Sequence, residues 1–169
     1  RAPTAEELLP ELSLAEWGAL LAVLRRRFAS RAHRHSHREE VDALQPCAAA
    51  LHEAGVLSPL GQAGLAHDLG GWHLGKGGKA HWEVGEALLR EAVATQREMI
   101  GDKHPDTLTS ISNLGSLLKE KGDLACAEAL LREALAARRE TLGDRHPETL
   151  TSINNLGLLL KAKGDLDGA

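Results

Sequence analysis

Tyrosine is absent from this sequence, phenylalanine and methionine occur once each, and aromatic residues make up only 2% of the chain. That poverty argues against a β-sandwich or barrel, because strands favour aromatic and β-branched side chains. There are two cysteines, Cys47 and Cys126, too few and too far apart for a disulfide framework or a paired-cysteine zinc site. A reducing compartment, the cytoplasm, is the expectation. No apolar run approaches the roughly 18 to 20 residues that cross a bilayer, so no membrane association is expected. No secretory signal is visible. The sequence opens on Arg1 instead of Met, which leads us to expect a piece of a longer protein. The net charge of -4 gives no overall footprint for nucleic acid. What is plentiful is leucine and alanine within a hydrophobic content of 43%. Both are strong helix formers, and they suit closely packed helices.

Self-comparison is the most informative step. Residues 86–127 and 128–169 align without a gap over 42 positions, 30 of them identical. Most exchanges are mild, such as Val93 for Leu135, Lys103 for Arg145 and Asp106 for Glu148. Each unit holds two helical patterns. Leu88, Leu89, Ala92 and Val93 recur at three- and four-residue spacing in a helix expected from about Glu86 to Met99, with Gly101 to end it. His104-Pro105-Asp106 then opens a second helix. Proline fits the first turn, where its missing N–H costs nothing, and the carboxylate suits the positive helix end. The stripe Leu108, Ile111, Leu114, Gly115 and Leu118 runs to a Gly122-Asp123 turn.

Leu114, Gly115, Leu118, Gly122, Leu124, Ala127, Leu131 and Ala134 follow the spacing of tetratricopeptide repeats, and Leu156, Gly157, Leu160, Gly164, Leu166 and Ala169 repeat it. The period of 42, with HPxTL opening helix A and NNLG inside it, resembles the kinesin light chain type of this repeat. HEAT and armadillo repeats have similar periods but lack the Gly-Asp turn between helices A and B. The resemblance implies an all-α, right-handed solenoid of antiparallel helix pairs with a helical N-terminal cap.

A weaker copy lies upstream, where Leu69-Gly70 and Lys76-Gly77 align with Leu114-Gly115 and Lys121-Gly122 at an offset of 45, leaving about three extra residues within 79–85. Ser58-Pro59 has the form of an N-cap with proline in the first turn. His73 takes an apolar core position, as tolerated in a terminal repeat. The expected organisation is a helical N-terminal region over 1–57 (a degenerate helix pair or a cap), a divergent first repeat over 58–99, a second over 100–141 and a truncated third over 142–169. Within 1–57, Ser13 and Glu16 form a capping box ahead of a stripe from Leu14 to Phe28, and a second helix is expected over about 38–53.

No catalytic constellation stands out, and no enzyme activity, cofactor or metal is expected. Gly70–Gly77, GGWHLGKG, is close to a phosphate-binding loop. It has no strand before it and no Ser or Thr after its lysine, and it coincides with the turn between helices A and B. His33, His35 and His37 sit among six arginines between Arg25 and Arg38, where positive charge disfavours a bound cation. That run lacks the interleaved aromatics of single-stranded RNA binding and reads as a solvated basic segment. His67, His73 and His81, with Trp72 and Trp82, read as packing of the divergent repeat.

What remains is the face of helix A beside its core stripe: Thr109, Ser112, Asn113, Ser116 and Lys119, then Thr151, Asn154, Asn155, Leu158 and Lys161. Amides and hydroxyls at regular spacing suit an extended peptide, whose backbone both donates and accepts. The resemblance implies that Asn113 and Asn155 clamp such a backbone. The expected function is a scaffold or adaptor binding a protein or peptide in this groove. The alternative is a structural array that stacks on further repeats or self-associates through the truncated C-terminal end, where Leu156, Leu160 and Leu166 are expected to lack cover.

Overall fold

The computed structural model describes residues 57–164 continuously, together with 45, 48, 49, 52, 53 and 55 before them. Five helices follow in order: α1 (Pro59–Lys76), α2 (Lys79–Ile100), α3 (Pro105–Lys121), α4 (Leu124–Leu142) and α5 (Pro147–Lys163). Every described element is helical. Helices α1 with α2 and α3 with α4 form antiparallel pairs, α5 begins a third, and the chain is an all-α solenoid of stacked pairs.

The helix starts are chemically fixed. Ser58 Oγ accepts the Gly61 N–H ahead of Pro59, as the sequence suggests. On α3 and α5 the cap is an imidazole: His104 Nδ1 accepts the Asp106 N–H at 3.2 Å, and His146 Nδ1 accepts the Glu148 N–H at 3.3 Å. Helices α3 and α5 also end alike. Gly122 and Gly164 take φ of 89° and 78°, and their N–H groups close on the last carbonyls. Glycine adopts this left-handed turn without steric cost.

One core of leucine and alanine runs through the stack, with Leu89, Leu108, Ile111, Leu117, Leu131 and Leu159 sealed from solvent. Small residues set the closeness of each pair. A Cβ on Gly70 of α1 would lie 2.5 Å from Leu89 Cγ and 3.2 Å from the Gly85 carbonyl of α2. One on Gly115 would lie 2.9 Å from Leu131 Cγ. The three extra residues expected within 79–85 lengthen α2, which has 22 residues against 19 in α4. His73 proves to be a core residue. It is buried at the end of α1, its Nδ1 lies 3.0 Å from His81 Nδ1, and Trp72 stands edge-on to both rings. Burial first, and then the neighbouring His81, lower its pKa.

An ionic ladder repeats with the period. Lys121 reaches Glu86 at 2.5 Å, and Lys163 reaches Glu128 at 2.6 Å. The hydrogen bonds from these lysines hold both carboxyls below their usual range. Arg97 of α2 pairs with Glu133 of α4. One repeat upstream, His52 Nε2 meets Glu91 at 3.1 Å, and Glu91 is the counterpart of Glu133. Residues 45, 48, 49, 52 and 53 are helical, so His52 occupies the place that Arg97 holds downstream. The capping box, the stripe from Leu14, the histidine run and the arginine run lie outside the described residues, as does Leu166.

One expectation is corrected at the C-terminal end. Leu156 and Leu160 are buried, because a helix of type A also packs on the preceding helix B, here α4. The uncovered apolar residues of α5 are Leu150, Ile153 and Leu158.

Candidate functional site

Helices α3 and α5 lie side by side, and their copied sequences put copied side chains in a row. Thr109, Ser112 and Asn113 of α3, with Thr151 and Asn155 of α5, line a cavity of about 110 Å³ together with Arg138 and Glu148. Five of the ten residues expected to form a groove therefore converge. Ser116 and Lys119 stay on α3 outside the cavity: the Ser116 hydroxyl donates to the Ser112 carbonyl at 2.9 Å, and Lys119 pairs with Glu120 at 3.0 Å. Asn154, Leu158 and Lys161 are exposed on α5, also outside it.

The two residues that sequence reasoning missed form the cavity's charged part. Arg138 comes from α4 and is only 4% exposed. Its Nη1 donates to Ser112 Oγ at 3.1 Å and to Ser152 Oγ at 2.7 Å, and its Nη2 donates to Thr109 Oγ1 at 3.1 Å. Glu148 Oε2 stands 3.5 Å from Arg138 Nε. One guanidinium thus gathers hydroxyls from α3 and α5 with a carboxylate, a use its planar fork of donors fits well. The signal was present in the sequence. Leu131, Ala134, Leu135 and Arg138 fall on one helical stripe, and the counterpart of Arg138 is Gln96, which is also buried. A polar residue recurring on an apolar stripe marks a built-in polar contact.

These bonds divide the row. Ser112 is buried, and its hydroxyl donates to the Leu108 carbonyl while accepting from Arg138, so it has little left to offer a ligand. Thr109 and Thr151 donate back to the carbonyls of Pro105 and Pro147, at 2.8 and 3.0 Å. Thr109 Oγ1, like Ser112 Oγ, is also taken by Arg138, so the Thr151 hydroxyl oxygen and the half-buried amides of Asn113 and Asn155 are the neutral groups left for a ligand in the cavity. Gly71 of α1 adds room: a Cβ there would lie 3.7 Å from Asn113 Nδ2. The arrangement can exchange hydrogen bonds with a backbone laid across the two helices. Among the described residues, no group of three His, Cys, Asp or Glu side chains could hold a metal ion, and no helix is long and apolar enough to cross a membrane. The segment resembling a phosphate loop is the last turns of α1 and the turn after it.

Residues 107–148 match the tetratricopeptide repeat family. The fold matches the crystal structure of nearly identical TPR-like repeats from Podosopora anserina, in a protein assigned as a kinesin light chain. That match has a TM-score of 0.70 at 21% identity and covers 90% of this chain and 69% of that one. No curated protein matches the chain.

Proposed function

Because the chain is a tetratricopeptide repeat protein with the fold of the kinesin light chain-like repeats, we propose that it is a scaffold or adaptor that holds an extended peptide segment of a partner protein across α3 and α5. The observation that carries this reading is the placing of Asn113 and Asn155, one period apart, on the rim of one cavity with Thr109 and Thr151. Side-chain amides that both donate and accept can pair with a peptide backbone of any sequence. Arg138 and Glu148 beneath them stiffen the floor and keep the two helices in register. A reducing, cytoplasmic setting goes with this reading, because two cysteines so far apart in sequence give no disulfide framework.

A peptide-display selection against the chain, run beside an Asn113→Ala/Asn155→Ala variant of equal helicity, tests this. Peptides enriched on the chain and lost on the variant are expected. Equal enrichment on both would remove the asparagine clamp.

A second reading, a structural array that stacks on further repeats or on itself, is favoured by the exposure of Leu150 and Ile153 on α5. Sedimentation velocity over a range of concentrations separates the two, since a peptide scaffold needs no self-association.

A further inference from the structure

The hydroxyls around the cavity between α3 and α5 all donate their hydrogen to their own helix. Thr109, Ser112, Thr151 and Ser152 give it to the carbonyls of Pro105, Leu108, Pro147 and Glu148, at 2.8 to 3.2 Å. The part of each left for other partners is an acceptor oxygen. Arg138 takes three of these oxygens, those of Thr109, Ser112 and Ser152. The fourth, on Thr151, lines the cavity.

The two charges of the site are placed unequally. Arg138 is 4% exposed, with its Nη atoms on those hydroxyls and its Nε 3.5 Å from Glu148 Oε2. The Glu148 side chain is 46% exposed and lines the cavity. The cation is thus built into the floor, and the carboxylate is the charge that an incoming group meets. An anionic group would face Glu148 before it reached any donor of Arg138. A donating group meets that carboxylate, the Thr151 oxygen and the amides of Asn113 and Asn155, whose carbonyl oxygens also accept. One repeat upstream, the counterparts of Arg138 and Glu148 are Gln96 and Asp106, and Asp106 is 64% exposed beside His104. Of the two described junctions, only that of α3 and α5 joins a sunken cation to an accessible carboxylate.

We propose that this cavity takes a primary ammonium of the bound peptide, carried by a lysine side chain or by a free N-terminus. An ammonium has three N–H donors and no acceptor, which matches a carboxylate, a hydroxyl oxygen and an amide carbonyl. It is also compact enough for a cavity of about 110 Å³. The proposal rests on the groove reading and adds to it the charge of the segment held.

The test uses peptides selected by display on the whole chain and then synthesised. A lysine at one fixed position, or a requirement for the free N-terminus, is expected. Lysine replaced by norleucine keeps the stem and removes the charge, and acetylation does the same for the N-terminus, so the two sources separate. Loss of the ammonium weakens binding about ten- to a hundred-fold, the scale of a hydrogen-bonded charge. On Glu148→Gln the charged and neutral peptides are expected to bind alike. Thr151→Val, which lies outside the three hydroxyls that hold Arg138, narrows the difference about two- to ten-fold and serves alone if Glu148→Gln loses helicity. Peptides that need Asn113 and Asn155 but no ammonium, or whose need for it survives both variants, overturn the inference and leave the groove standing. No peptide selected at all overturns both.

Discussion

The first and second repeats are made to one plan, yet they close their helix pairs and join their neighbours with different chemistry. At the crossing of α1 and α2 both partners are glycine, Gly70 and Gly85, and the backbones approach as closely as Leu89 allows. At the crossing of α3 and α4 the pair is Gly115 and Ala127, one methyl looser. Between repeats the contrast is sharper. Ser110 of α3 meets His67 Nδ1 of α1 directly at 2.8 Å, whereas Ser112 of α3 and Ser152 of α5 are joined through Arg138. The divergent repeat docks tightly on its neighbour, and the regular one leaves a charged floor with a cavity above it. Regularity in this solenoid goes with an accessible site, and divergence with a closed junction.

The crossings give the largest expected effects. Gly70→Ala forces its new carbon against both Leu89 and a backbone carbonyl, and a loss of about 2–3 kcal/mol is expected. Gly115→Ala meets only the Leu131 side chain closely, and about 1 kcal/mol is expected. Gly157→Ala meets nothing and gains helix propensity, up to about 1 kcal/mol of stability. Urea denaturation of the three variants checks the order, and equal losses at all three positions would erase the distinction between covered and uncovered repeats.

The junctions come next. Arg138→Ala removes three charge-assisted bonds and the packing of a long buried stem, with an expected loss of about 2 kcal/mol. Arg138→Gln imports the residue of the first junction and recovers roughly half of it. If both variants unfold at the parental urea concentration, Arg138 is not what joins α3 to α5.

The smallest effect is a pH slope. The pKa of His73 is depressed in the folded state, so its contribution is complete above the ordinary histidine value near 6.5 and is lost as pH falls below it, where the unfolded chain takes up the proton first. His73→Leu installs the residue that α3 carries at the matching position, Leu118. It is expected to flatten the fall in melting temperature between pH 7 and pH 5, and an unchanged slope would locate the titration elsewhere.

The fold was legible in the sequence because a 42-residue period with glycine and proline in fixed places leaves few other solutions. Ser58, Gly122 and the crossing glycines behave as their spacing suggests. The imidazole caps were not legible: proline and an acidic residue already accounted for the helix start, and histidine is an uncommon cap. The groove was half legible. Local periodicity tells which side chains leave a helix beside its core stripe, but not that Ser112 is taken by an arginine 26 positions away. Arg138 belongs to a different helix from the row it organises, so no single-helix pattern could join them. The error over Leu156 and Leu160 has the same root. Each type A helix is covered from two sides, and losing one cover bares only Leu150 and Ile153 of its stripe.

The main contacts join each helix to its neighbours in sequence and to the next helix of the same type, α1 to α3 and α3 to α5. Nothing in this pattern ties the first pair to the last helix, so loss of structure at one end need not cost the other its own core. Such a molecule opens like a zipper and not like a shell. Amide protons in α5, covered on one side, exchange earliest, those of α3 exchange last, and the site between them is sealed at its inner wall while its outer wall breathes. A ligand spanning both helices would be read out most directly as slowed exchange in α5.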